Sequence, residues 1–444
     1  MIDLKLLSIG LLTALAVGGV ARAGMAPPAA PPATAGTTAT PQTATVAALA
    51  ATAATPQTAT TAALAATAAT PPTAATAAQA PAVARQFPAL SPTADGAVLA
   101  SWLESSDGGA TLRYARWRDN QWSTPATVAT GDDWLVNWAD FPAVVELPNG
   151  RLAAQWLVRE AGRGAYSVRL AWSEDGGATW SPPLTPHDDG TATEHGFVSL
   201  FPHADATGAV WLDGRAYADS RDGPMTLRWA AFDAQGVPAA AGVVDDRICD
   251  CCQTDAAATA SGTVVVYRDR SPEEIRDIKL VRLEASRWSE PVVVHEDGWH
   301  INACPVNGPA VAAAGDRVAV AWFTAPEGNA RSYVAFSEDG GRSFGPPVRI
   351  DDGEPVGRVD LLLLADGHAL VSWMERAGEG AEVRLRRVAP DGRTGSARSA
   401  GTIDPGRASG FPRMARAGDT VLLGWTAPGE PAALRFASVT LPGQ

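Results

Sequence analysis

Val98-Leu99-Ala100-Ser101-Trp102 decides the fold, because the stretch returns along the chain. Leu152-Ala153-Ala154-Gln155-Trp156, Val318-Ala319-Val320-Ala321-Trp322, Ala369-Leu370-Val371-Ser372-Trp373 and Val421-Leu422-Leu423-Gly424-Trp425 repeat the apolar run closed by tryptophan. Degenerate copies centred on Gly214 and Arg268 fall between the second and third, so that seven anchors follow one another at steps of 51 to 58 residues. Turn pairs such as Asp95-Gly96, Asn149-Gly150 and Asp366-Gly367 stand six or seven residues upstream of an anchor, where a tight hairpin requires them. Phe87-Pro88, Phe141-Pro142, Phe201-Pro202 and Phe411-Pro412 open the preceding strands, and alternating runs such as Val168-Arg169-Leu170-Ala171-Trp172 follow the anchors. Four short strands repeated at a near-constant step predict an all-β chain, a β-propeller of seven blades. Tandem β-sandwiches offer no reason for the constant step. Six blades is the alternative count, because the last repeat stops after its third strand (433–439) and the ring then needs a strand from near residue 85 to close.

The flanks are different in kind. Within the 444 residues, 1–23 read as a signal peptide: Lys5, an apolar run from Leu6 to Val20, and Ala21-Arg22-Ala23 as the small-x-small cleavage pattern. Residues 24–84 contain no Asp, Glu, Lys or Arg and repeat Thr-Pro-Gln-Thr-Ala-Thr at Thr40 and Thr55, which predicts a disordered Ala/Thr/Pro linker. The folded body is then 85–444, expected in the periplasm or secreted, as a monomer. Thirty-five Lys and Arg against 48 Asp and Glu give a net charge of −13, a poor match for nucleic acid. No long apolar run follows the N-terminus, so no membrane partner is expected beyond the signal peptide.

Ser173-Glu174-Asp175-Gly176-Gly177-Ala178-Thr179-Trp180 and Ser337-Glu338-Asp339-Gly340-Gly341-Arg342-Ser343-Phe344 share the pattern S-x-D-x-G-x-[TS]-[WF]. It resembles the Asp-box of the sialidase-like (BNR-repeat) propellers. The resemblance implies that Asp175 and Asp339 are structural, in turns between third and fourth strands, and that function sits on the opposite face. There the segments entering each inner strand and those joining second to third strands meet around an axial mouth. Members of that family hold a carboxylate substrate with three arginines and use a Tyr–Glu nucleophile pair with an Asp acid/base. Their Arg-Ile-Pro signature has no counterpart, this chain reading Arg85-Gln86-Phe87-Pro88. Substitutes on the expected face are Arg215, Tyr217, Arg268, Arg270, Glu273, Glu274, Arg358 and Arg413, with Tyr217 and Glu273 as the pair. The resemblance thus offers an exo-α-sialidase-type glycoside hydrolase acting on a glycan or small anionic ligand. A non-catalytic platform for a carbohydrate or a periplasmic protein is a further reading.

The four cysteines point elsewhere. Cys249-Asp250-Cys251-Cys252 leads into the fourth repeat and His300-Ile301-Asn302-Ala303-Cys304 into the fifth, so adjacent blades place them side by side. Soft thiolates with imidazoles at one mouth select copper first and zinc second, with Cys249, Cys251, Cys252, Cys304, His300 and His195 as candidate ligands. A disulfide from Cys252 to Cys304, stapling two blades, and a redox-active cysteine are the alternatives. Pro272–Asp277 reads as a solvated hairpin tip, and the tryptophan anchors read as wedges between blades.

Overall fold

The computed structural model describes residues 66–68 and 83–441, except 205, 221 and 234; the expected signal peptide and most of the expected linker lie outside the described residues. Seven antiparallel sheets follow one another along the chain. They form a seven-bladed β-propeller, as the spacing of the anchors predicts.

The second strand of each blade explains the repeated motif. Leu152–Arg159 and Ala206–Asp213 are buried along almost their whole length, because blades cover both of their faces. A strand covered on both sides reads as an unbroken apolar run rather than an alternation. The tryptophans closing those runs are wedges: Trp322 and Trp373 are 0% exposed. Three buried indole N–H groups of the second strands find carboxylate acceptors. Trp373 donates to Glu375 Oε2 (2.5 Å), Trp211 to Asp213 Oδ2 (3.0 Å) and Trp322 to Asp297 Oδ2 (2.7 Å). Third strands alternate instead, as in Gly109–Arg118, since they lie nearer the rim.

Inner strands of adjacent blades diverge too far to pair, and buried side chains bridge them. Asp255 Oδ2 accepts the Val311 N–H (2.8 Å), Asp360 Oδ2 that of Met414 (2.7 Å), and Asp140 Oδ1 that of Phe197 (2.9 Å). Three inner strands also carry a bulge with one non-glycine residue at positive φ: Phe87 (55°), Phe197 (54°) and Arg358 (52°). Such strained bulges redirect the chain at the edge of a sheet.

Closure differs from expectation. The last blade takes its outer strand from Ala66–Ala68, which pairs antiparallel with Ala433–Thr440 (Ala66 opposite Val439). That strand lies inside the segment expected as linker, some 18 residues before residue 85. Ala84–Pro92 is instead the innermost strand of the first blade.

Both Asp-box sequences form the same turn, between the third and fourth strand positions of blades two and five. Asp175 Oδ1 accepts the Thr179 N–H (2.9 Å) and Asp339 Oδ1 that of Ser343 (2.9 Å); Ser173 and Ser337 hydroxyls accept the Gly177 (2.7 Å) and Gly341 (2.9 Å) N–H groups. Hydrogen bonds of this kind hold Asp175 down at about 2, a carboxylate committed to a turn.

Blade two departs from the pattern. It has three strands, and the segment after its Asp-box meets the third strand at isolated points: Ser181 with Trp172, Leu184 with Leu170 through two 2.8 Å hydrogen bonds, and Thr193 with Tyr166 (3.0 Å). Residues 185–192, between the Leu184 and Thr193 contacts, pair with no strand and bulge toward the axial face.

Candidate functional site

The fourth strand of blade three, Pro238–Ile248, runs straight into Cys249, whose N–H donates to the Arg268 carbonyl (3.0 Å). The loop after Arg268 folds back as a tight hairpin, Ser271 N–H to Ile275 O (2.9 Å), and the next lead-in pairs with it through Ile301 N–H to Glu274 O (3.0 Å). Gln253 ties three lead-ins together, donating to the Ala139 carbonyl (2.5 Å) and accepting from the Gly308 N–H (3.0 Å).

This scaffold gathers all four sulfurs. Cys249 Sγ is 2.9 Å from Cys252 Sγ and 3.8 Å from Cys251 Sγ. The donor atoms of Asp250, Cys251 and Cys304 lie within 4.8 Å of one another, as do the three sulfurs of Cys249, Cys251 and Cys252. Cys251 belongs to both groups and joins them. All four thiols are free; Cys252 stands against Cys249, not against Cys304 as a staple requires.

Arg276 backs the cluster. It is 2% exposed, places Nη1 3.3 Å from Cys249 Sγ and 3.4 Å from Asp250 Oδ1, and donates Nη2 to Glu274 Oε2 (2.9 Å). Arg270 grips Glu274 with two nitrogens (2.8 Å from Nη2). The hairpin tip is solvated at Pro272 and Glu273, as expected, but Arg276 is buried and joins the half-buried Arg270, Glu274 and Asp250 in an ion-pair network behind the cysteines. Burial alone would push the Cys249 thiol up; the thiols of Cys251 and Cys252 and the Arg276 guanidinium outweigh it and hold Cys249 well below the ordinary thiol range. Hydrogen bonding from Cys251 likewise lowers Cys304, and both effects send Cys251 upward. Negative charge in the cluster is thus favoured on Cys249 and Cys304 over Cys251.

The expected imidazole helpers do not join. His300 is exposed, its backbone bridged to Ile275, and no described group of clustered donors includes it. His195 is fully buried in a separate cluster with His187 and Asp189.

The arginine candidates are already engaged. Arg268 is buried at a tryptophan-anchor position, and its guanidinium donates to the carbonyls of Asn307 (2.8 and 3.0 Å), Arg276 (2.6 Å) and Phe323 (2.6 Å). Arg358 donates to Gly410 O (2.7 Å) and Gly406 O (3.0 Å) and stacks on Trp138. Arg215 is held by Asp213 (2.8 and 2.9 Å). Arg413 lies beside Asp360 (3.7 Å) in a central cavity of about 390 Å³, away from the cysteines. These side chains build the propeller and leave no three-arginine clamp for a carboxylate.

Tyr217 and Glu273 do not pair. Glu273 is exposed and accepts from Ser271 Oγ (3.0 Å). Tyr217 is pushed up by burial and then by Asp250 and Glu194, so those are the carboxylates it faces; Glu194 in turn is raised by burial and by Asp250. Glu194, Asp250 and Arg276 escaped the sequence reading. Adjacency to His195 and Cys249 was the only signal available for the first two.

The chain is similar in fold to seven-bladed glycoside hydrolases and polysaccharide lyases. An ulvan lyase of the polysaccharide lyase group PL25 superposes with a TM-score of 0.51 at 10% identity, over 81% of this chain and 95% of the other. α-L-Arabinanase from Penicillium chrysogenum, complexed with arabinobiose, gives 0.45 at 12% identity, over 81% and 97%. A mutant NanB sialidase from Streptococcus pneumoniae gives 0.41 at 11% identity, over 80% and 68%. At these identities the likeness is one of fold. No protein-family model matches the sequence, and no curated protein matches it.

Proposed function

We propose that the axial mouth binds a soft metal ion, copper(I) before zinc, through Cys249, Cys251, Cys252 and Cys304. The gathering of four free sulfurs from two adjacent lead-ins into two donor groups sharing Cys251 carries this reading. The 3.8 Å between Cys249 and Cys251 is the edge of a tetrahedron of thiolates at about 2.3 Å from a metal. The closer Cys249–Cys252 contact (2.9 Å) opens by somewhat under 1 Å on loading. Arg276 and Arg270 offset Asp250 and Glu274, so the thiolates supply the negative charge that a cation neutralises. With residues 1–23 as an export signal, the protein works in the periplasm or beyond.

Anaerobic titration of the reduced protein with copper(I) against a chromogenic chelator tests this. One equivalent is retained by the wild type and lost from Cys251→Ser. Equal retention by both, or by neither, contradicts it.

A second reading, a carbohydrate-acting mouth, rests on Glu194, Tyr217 and Asp250. They are half-buried beside the cysteines, and two of them are shifted upward, as groups handling protons often are. Sugar release or unsaturated-product formation from polysaccharides, abolished in Glu194→Gln, is its test.

A further inference from the structure

The segment that blade two releases toward the axial face carries donors unlike the cysteines. His187, Asp189 and His195 place their donor atoms within 4.8 Å of one another. The side chains are 5%, 6% and 0% exposed. Asp189 Oδ1 lies 3.3 Å from His187 Nδ1 and 3.2 Å from His195 Nε2. None of the four ring nitrogens, nor Asp189 Oδ1, makes a hydrogen bond, so the short separations lack the alignment such a bond needs. Five buried polar atoms without hydrogen-bond partners in one place call for an explanation, because the large majority of buried side-chain polar atoms in folded proteins are satisfied.

We infer that His187, Asp189 and His195 form a second metal site, for a divalent ion of the zinc type. It shares no residue with the cysteine cluster and does not depend on that cluster's occupancy.

Three details bear on the site. Donors of a tetrahedral ion at about 2.0–2.1 Å are separated by about 3.3–3.4 Å, against the observed 3.2 and 3.3 Å. The two imidazoles stack with centroids 3.8 Å apart and planes at 6°, so a shared ion requires the rings to splay on binding. Asp189 Oδ2 is fixed by the Thr191 N–H (3.1 Å) and the Thr191 hydroxyl, which leaves Oδ1 as the free donor.

Asp213, 3.7 Å from His195 Nε2, is not a ligand: Arg215 and the Trp211 indole occupy both of its oxygens. Arg215 also reaches Asp189 Oδ1 (3.5 Å), a positive charge balanced by Asp213 and by Asp188 (3.4 Å). Two nitrogens and one carboxylate oxygen are a borderline set, selecting zinc over copper(I) and over calcium.

The test uses the full chain with all four cysteines changed to serine, stripped with chelator and titrated with zinc and, separately, cobalt(II). The expected result is one equivalent of zinc bound, a higher unfolding temperature with zinc, and a tetrahedral cobalt spectrum without thiolate charge transfer. His187→Ala and Asp189→Asn each weaken binding by about 100-fold or more. Thr191→Ala, which touches no ligand atom, weakens it by about tenfold and stands in where a ligand variant fails to fold. No zinc in the cysteine-free parent, or unchanged affinity in the folded variants, overturns the site.

Discussion

Arg276 Nη1 stands 3.3 Å from the sulfur of Cys249, a contact between the loop joining two strands of blade four and the segment that leads into that blade. Neither residue lies near the other in sequence, yet both are buried, and the ion pair stabilises the thiolate. Replacing Arg276 with Gln withdraws that charge while keeping a polar side chain of similar length. In metal-free, reduced protein the ultraviolet thiolate absorbance then titrates about one unit or more higher than in the wild type. An unchanged midpoint shows that Arg276 only balances Glu274 and Asp250.

Arg268 is predicted to matter for stability and not for ligand capture. Arg268→Met leaves three buried carbonyls without a donor, and each such orphan costs about 1–3 kcal/mol. A loss of about 3 kcal/mol or more in chemical denaturation is expected. Arg268→Lys recovers part of it, since one ammonium does not reach all three carbonyls. Wild-type stability in Arg268→Met would show that the guanidinium is not part of the frame.

Asp140 makes stability depend on pH. Burial pushes its carboxyl up to about 7, against the Phe197 N–H, so the folded state holds a proton that the unfolded chain releases near 3.8. Its contribution is full below about 4 and is lost as pH rises through 7, by up to about 4 kcal/mol at 1.4 per unit. Asp140→Asn keeps an acceptor for Phe197 and removes the titration. Denaturation midpoints measured from pH 4 to 8 should decline less steeply in this variant than in the wild type. Parallel curves contradict the assignment.

Two turn glycines of blade two, Gly177 in its Asp-box and Gly150 in its first hairpin, differ in what surrounds them. Gly177 has φ +94°, and a Cβ there would meet the Tyr114 hydroxyl at 1.6 Å; Gly150 has φ +83° and nothing within 4 Å. Gly150→Ala costs about 1 kcal/mol in backbone strain. Gly177→Ala adds a clash and is expected to cost about 2 kcal/mol more. Equal costs, read from thermal unfolding, would mean that Tyr114 yields freely.

Most of the fold was written in the spacing of Val98–Trp102 and its copies, because a blade buried on both sides needs the same apolar strand each time. The closing strand was not legible: Ala66-Thr67-Ala68 carries no pattern, and backbone pairing with Val439 asks for none. Among the site residues, adjacency of two lead-ins was enough to bring Cys304 to Cys251, since neighbouring blades fix it. His195 went elsewhere because the missing fourth strand of blade two frees His187 and Asp189 to meet it, an irregularity that a repeat argument smooths over. The arginines misled for a related reason. An anchor position holding Arg268 instead of tryptophan resembles a functional exception, whereas its guanidinium satisfies carbonyls that the distorted lead-ins leave open.

X-ray absorption at the copper edge, on reduced protein loaded with one equivalent of copper(I), addresses the cysteine cluster most directly. The account predicts a first coordination shell made of sulfur alone, which disappears in Cys251→Ser. A shell of nitrogen and oxygen, or a sulfur shell that survives that substitution, would contradict it.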